Sequence, residues 1–173
     1  MAEQHLERAL GQVEASMEEV HRAVWSLRDE SRETRGLAAS LEDIGQQLGS
    51  CSPSPVEVRT RTSGGPRPFA LSVENNLLRI GQEALTNAVK HGKAAHVEVE
   101  LRYQPHAFEL WVSDDGRGFD AGAPAAPGHF GLVGMRERAG EIGARFELRS
   151  LPGRGTEVVV KLPLPPLTLR RTG

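Results

Sequence analysis

The sequence predicts an α+β fold: a two-layer α/β sandwich preceded by a long coiled-coil-like helical segment. Three observations predict it. The runs Val56–Thr62, Val97–Leu101, Phe108–Val112, Arg145–Leu151 and Thr156–Leu162 alternate apolar with polar residues or are rich in β-branched ones, as half-buried strands are. The stretches Ser72–His91 and Leu132–Ile142 between them read as helices with one apolar side. Ahead of both, Leu6, Leu10, Val13, Met17, Val20, Val24 and Leu27 step alternately by four and three, which is the seam of a coiled coil.

In chain order, residues 3–35 read as one helix whose only apolar face is that seam. Packing of such a face supplies most of a helix's stability, so the segment is expected to self-associate. Gly36 interrupts it, and Leu37, Leu41, Ile44 and Leu48 resume the spacing up to a stop at Gly49. Cys51–Pro55, with prolines that forbid a helix, reads as the linker. This gives residues 1–50 as a helical module, 51–55 as a linker, 56–165 as the globular domain and 166–173 as a tail. Within the domain, Gly64–Pro68 is a turn and Ser72 the N-cap of the next helix. Gln104–His106 joins two strands of a hairpin, and Ala121–Gly128 has no periodicity. An antiparallel sheet of about five strands with helices on one face follows from this order.

The chain has 173 residues, 38% of them hydrophobic, and a formal net charge of −2. That balance gives no electrostatic case for nucleic acid or an anionic membrane surface. The single cysteine, Cys51, allows no internal disulfide. No apolar run approaches the ~20 residues of a membrane span, and no signal-peptide pattern opens the chain. A cytoplasmic location is expected.

Four motifs carry chemistry. Read as a helix at ~100° per residue, Glu83, Asn87, Lys90 and His91 fall within roughly one third of the circumference, while Leu77, Gly81, Ala84, Leu85 and Ala88 occupy much of the rest. A carboxylate, an amide and two basic groups on one edge suit a divalent cation with phosphates; a solvated helix face is the alternative. Asp114-x-Gly116-x-Gly118 ends a strand, where a carboxylate can enter a pocket and accept from an exocyclic amine; a simple turn is the alternative. Gly131-Leu132-Val133-Gly134-Met135 opens a helix, a seat for phosphate or only a steric start. Gly155-Thr156 enters the last strand with a hydroxyl.

Taken in this order, the motifs make residues 56–164 resemble the ATP-binding catalytic domain of sensor histidine kinases, of the NarL/DesK/LiaS type, within the group that includes gyrase, Hsp90 and MutL ATPases. Glu83–His91 is similar to that family's N box, Asp114–Gly118 to its first glycine box, Gly131–Arg138 to its second, and Gly153–Thr156 to its closing Gly-Thr element. The resemblance implies a Bergerat-type ATP-binding fold with ATP and Mg²⁺ as ligands. It implies that Asn87 coordinates Mg²⁺, that Glu83 positions a metal-bound water or assists proton removal, and that Lys90 and His91 lie beside the phosphates. It further implies that Asp114 binds the adenine amine with Thr156 in support, that Gly116 and Gly118 shape the pocket wall, and that residues 121–134 form a lid. Gly131, Leu132, Gly134 and Met135 would belong to its hinge and phosphate contacts.

Ala23–Arg28 is similar to a sequence in the second half of the family's dimerisation and phosphoacceptor module. In the family the phosphorylated histidine is followed by an acidic residue. Here the six histidines are followed by Leu6, Arg22, Gly92, Val97, Ala107 and Phe130, so the acceptor is expected on a helix outside this sequence, and His21 does not fit. The chain is expected to be a trimmed piece of a histidine kinase whose further partner is a response regulator. Two alternatives stand beside this: a serine kinase or anti-sigma-like regulator that binds ATP, and a non-catalytic dimeric interaction domain.

Overall fold

The structure, a computed structural model, describes residues 36–122 and 130–165. The seam from Leu6 to Leu27, His21, the Ala23–Arg28 sequence, the loop from residue 123 to 129 and the tail from 166 lie outside the described residues. Backbone packing separates Met1–Gly36 from a compact unit Leu37–Gly173. The elements run α1 (Gly36–Cys51), β1 (Glu57–Ser63), α2 (Leu71–Thr86), a π-helical turn (Asn87–Gly92), β2 (His96–Tyr103), β3 (Ala107–Asp114), α3 (Phe130–Glu141), β4 (Arg145–Ser150) and β5 (Thr156–Pro163). Each run expected as a strand is one.

The sheet order is β1-β2-β3-β5-β4. It is not wholly antiparallel as expected: β1 and β2 are parallel, with Val58 opposite Val97 and Thr60 opposite Val99. The reason is that α2 lies between them in sequence, and a helical crossover returns the chain to the same end of the sheet. The other pairs are antiparallel.

One face of the sheet is the core. Val97, Val99 and Leu101 of β2, Phe108, Leu110 and Val112 of β3, and Val158, Val160 and Leu162 of β5 are buried on it. Leu77, Ile80, Ala84 and Leu85 of α2 and Met135 and Ala139 of α3 are buried with them. The opposite face carries charge: Arg102 pairs with Glu100 at 2.7 Å and lies 5.6 Å from the Trp111 ring, and Lys161 faces Glu147 at 3.4 Å. A sheet covered on one side and solvated on the other makes two layers.

Two boundaries differ from expectation. α1 does not stop at Gly49 but runs to Cys51, and Leu41 and Ile44 are 0% and 1% exposed within the same compact unit as the sheet. Gly45 and Gly49 are close-packing positions rather than a stop: a Cβ on Gly45 would sit 2.5 Å from Val58 Cγ1, and one on Gly49 would overlap the Val56 carbonyl. α2 starts at Leu71 without a side-chain cap, ahead of the expected cap at Ser72; the Ala70 carbonyl accepts from the Val73 and Glu74 amides instead. The segment before it is held by Arg67, which donates to the carbonyls of Gln104 and Pro105 at 2.9 and 2.8 Å. Phe69 packs on Phe108 with ring centroids 4.9 Å apart.

Candidate functional site

The site is built where the core face of the sheet runs out of apolar residues. Along β3 the inward positions are Phe108, Leu110 and Val112, and the next in phase is Asp114. Across the register, Asp114 faces Thr156 on β5, and Thr156 faces Ser150 on β4. Residues directly opposite in neighbouring strands share a face, so Asp114, Thr156 and Ser150 form a polar row at one end of the core. Burial holds the Asp114 carboxyl above the usual aspartate range, with the amides of Gly116 and Thr156 partly offsetting it; the Gly116 amide donates to Oδ1 at 2.8 Å.

The helix edge meets this row through Gly92. α2 is regular to Thr86, and Glu83 and Asn87 are one turn apart, with Asn87 Nδ2 donating to Glu83 Oε1 at 3.4 Å. From Asn87 the helix widens into a π turn, so the even 100° spacing expected through His91 does not hold there. Single π turns are frequent at functional sites. This one ends in Lys93, the described non-glycine residue with positive φ, at 52°. Gly92 lies against Asp114, its carbonyl accepts from the Arg117 amide at 2.8 Å, and a Cβ on Gly116 would overlap that carbonyl. Lys90 and His91 are exposed on the turn.

α3 packs against α2, and its first turn closes the other side of the helix edge. A Cβ on Gly131 would overlap the Glu83 carboxylate. Leu132 and Gly134 are half-buried, and Met135 is fully buried. Met135 therefore anchors the helix in the core rather than offering its side chain to a ligand. Gly118, at φ 57°, lies against the Leu151 and Gly155 carbonyls. The structure thus gathers Glu83, Asn87, Gly131, Asp114, Gly116, Gly118 and Thr156 around one end of the core, while Lys90 and His91 stand at its rim.

Residues 72–166 match the family described as histidine kinase-, DNA gyrase B-, and HSP90-like ATPase. The chain belongs to this family. Among its relatives within that ATPase family, the signal transduction histidine-protein kinase/phosphatase DegS of Brevibacillus brevis is 33% identical over 152 residues, covering 88% of this chain and 39% of that protein. The sensor histidine kinase LiaS of Bacillus subtilis is 35% identical over 140 residues, 81% of this chain and 38% of LiaS. The sensor protein VraS of Staphylococcus epidermidis is 34% identical over 152 residues, 88% of this chain and 42% of VraS. The chain therefore spans well under half the length of these relatives. The histidine kinase domain of a blue-light activated histidine kinase from Erythrobacter litoralis shares the fold, with a TM-score of 0.61, 24% identity and coverage of 75% of this chain and 61% of that one.

Two polar residues in or beside this row are given no role by the motif reading. Ser150 continues the inward phase of Phe146 and Leu148 on β4, and that phase was the signal that could have found it. Asp115, next to Asp114, turns the other way and closes the start of β2, accepting from the Ala95 and His96 amides at 2.8 and 2.9 Å and pairing with the His96 ring at 2.7 Å. The His96 amide, then its ring and the Ala95 amide, hold the Asp115 carboxyl below the usual aspartate range. A depressed carboxyl adds stability that is present above the ordinary aspartate pKa and lost as pH falls through the folded value. Asp115→Ala is expected to lower the melting temperature at neutral pH by removing the acceptor of the two amides, and to lower it less at an acid pH where the carboxyl is protonated. Thermal melts at the two pH values check this, and a constant deficit would rule it out.

Proposed function

We propose that this chain is the ATP-binding catalytic part of a two-component sensor histidine kinase. It would bind ATP with Mg²⁺ and transfer the γ-phosphoryl group to a histidine nitrogen on a helix outside this sequence, from which a response regulator takes it. The observation that carries the reading is the half-buried carboxylate of Asp114 in a polar row joined through Gly92 to the Glu83–Asn87 edge. Asp114 and Thr156 receive the base. Gly131 lets the Glu83 carboxylate lie against the first turn of α3, where a Cβ would overlap it.

The residues present suit a magnesium ion. No group of three or more His, Cys, Asp or Glu side chains that could hold a metal ion is found among the described residues, so the cation proposed here is one that keeps waters and takes its other oxygens from phosphates. Asn87 would hold it, with Glu83 orienting a water, and when bound it would neutralise charge on the phosphate oxygens. The amide of Asn87 is already turned so that its nitrogen faces Glu83, which leaves its carbonyl oxygen to the ligand. Glu83 would also take the proton of an incoming imidazole. Most of the catalysis then lies in positioning and charge neutralisation.

Self-association through the heptad seam that the sequence carries before Gly36 completes the reading. No helix among the described residues is long and apolar enough to cross a membrane, and a cytoplasmic site of action is proposed.

The test is calorimetric titration of the chain with ADP, with and without Mg²⁺. The parent is expected to bind more tightly with the ion. Asn87→Ala is expected to lose that increment, about tenfold or more in affinity, and to keep its metal-free affinity. A folded parent that binds no adenine nucleotide overturns the proposal. With ATP, the chain alone is expected to form no phosphohistidine, because none of its six histidines precedes an acidic residue; a phosphorylated histidine on it, found by mass spectrometry, would contradict this.

A further inference from the structure

We infer that Ser150 fixes the direction of the Thr156 hydroxyl, and through it the selection of a base carrying an exocyclic amine over one carrying a carbonyl at that position. The inference rests on the reading of Asp114 as the acceptor for the base.

Ser150 is a buried polar side chain, 8% exposed, and its oxygen has three neighbours. It accepts from the Phe119 amide at 2.9 Å, lies 3.0 Å from the Gly155 carbonyl oxygen, and lies 3.0 Å from the Thr156 hydroxyl oxygen. A serine hydroxyl has one proton and two lone pairs. The Phe119 amide can only donate and the Gly155 carbonyl can only accept. The single Ser150 proton therefore goes to Gly155, and the contact with Thr156 must use the proton of Thr156. That leaves the Thr156 oxygen with lone pairs alone.

The consequence lies one strand over. Thr156 stands directly opposite Asp114 across the β3–β5 ladder and opposite Ser150 across β4–β5. A ligand edge at this end of the sheet meets an acceptor from Asp114 and a second acceptor from Thr156. An exocyclic amine has two N–H groups to offer them, directly or through water. A carbonyl in the same place would face acceptors only, and leaving buried polar groups unpaired is what gives such sites their discrimination. Without Ser150 the Thr156 hydroxyl is free to rotate and donate, and the carbonyl becomes tolerable. Ser150 touches no ligand in this scheme; it is a positioning residue.

The test compares ADP with inosine diphosphate, whose base carries a carbonyl in place of the amine and a protonated N1 in place of a bare one. Both are titrated calorimetrically into the full chain. The parent is expected to prefer ADP by about 100-fold or more. Ser150→Ala is expected to lower that ratio by about tenfold, with inosine diphosphate bound more tightly than by the parent, whereas a loosened pocket would weaken both ligands alike. Ser150→Thr, which keeps the hydroxyl, is expected to restore the ratio. An unchanged ratio in folded Ser150→Ala, beside a parent that discriminates, overturns the inference and leaves the Asp114 reading standing. A parent that binds both equally, or neither, overturns both. If Ser150→Ala does not melt cooperatively, Ser150→Cys takes its place, since a thiol is a weak donor and acceptor; it is expected to lower the ratio part-way, and an unchanged ratio there overturns the inference.

Discussion

Asp114→Asn is expected to cost about 100-fold or more in ADP affinity while leaving the fold at least as stable as the parent's at neutral pH. The two halves of this result have separate causes. The Gly116 amide donates to Asp114 Oδ1 at 2.8 Å, so the asparagine oxygen takes that position and its NH₂ takes the one facing the ligand. A donor then meets the donor of an adenine amine. The stability half follows from burial, which raises the Asp114 carboxyl above the usual aspartate range. A carboxyl with a raised folded pKa contributes stability that is fully present below its unfolded pKa and is lost as pH rises through the folded value. Above that value the parent carries a partly desolvated charge, and asparagine removes that cost. The melting temperature of Asp114→Asn is expected to equal or exceed the parent's at pH 7, with the difference closing towards acid pH. The parent's own affinity for ADP is expected to fall as pH drops through the raised pKa, at a higher pH than an ordinary aspartate would give. Titration and thermal melts across pH separate these outcomes. Unaltered ADP binding by the folded variant would remove Asp114 from the pocket, and a large fall in melting temperature would make its carboxylate a structural group.

Much of this arrangement is legible in the sequence. The strands announce themselves because their inward positions are apolar every second residue, and Asp114 stands out as a carboxylate continuing the phase of Phe108, Leu110 and Val112. Glu83 and Asn87 were readable as one edge because α2 is regular up to Thr86. Beyond that point the reading used the wrong helix: a π turn places Lys90 and His91 at angles that 3.6-residue periodicity does not give. Chain direction in the sheet was not legible from strand patterns, since alternation is the same in parallel and antiparallel pairs; only the length of the α2 crossover carries that information. The end of α1 and its packing on β1 are not legible for a different reason. Cys51–Pro55 has linker composition, but Gly45 and Gly49 tie the helix before it to β1, and a glycine that permits close approach looks in sequence like a glycine that ends a helix. Ser150 belongs to no glycine motif, and its hydroxyl matters through three partners far apart in sequence or brought together only by the turn between β4 and β5.

That turn supplies the second large effect. Gly155→Ala is expected to destabilise the protein by roughly 2–4 kcal/mol and to abolish measurable ADP binding. Gly155 has φ 70°, where a Cβ is disfavoured, and that Cβ would also overlap the Asp114 carbonyl and approach Asp115 Cα to 3.2 Å. The obstacles are backbone atoms, so no side chain can swing away; β3 must move at Asp114, and the carboxylate moves with it. Gly153 separates strain from overlap. It has φ 76° but nothing within 4 Å of its would-be Cβ, so Gly153→Ala bears only the conformational cost, about 1–2 kcal/mol, and is expected to keep ADP affinity within about threefold of the parent's, well short of the ~1.4 kcal/mol that a tenfold change represents. Chemical denaturation and ADP titration of the two variants decide the matter. Equal losses in both would mean that the left-handed backbone alone accounts for the effect. A Gly155→Ala protein that is destabilised yet binds ADP fully would mean that the position of the Asp114 carboxylate does not depend on the close approach of β5. The expected contrast, with Gly155→Ala deficient in both measurements and Gly153→Ala only in stability, ties the site to the one place where the last turn of the sheet touches the backbone of its pocket carboxylate.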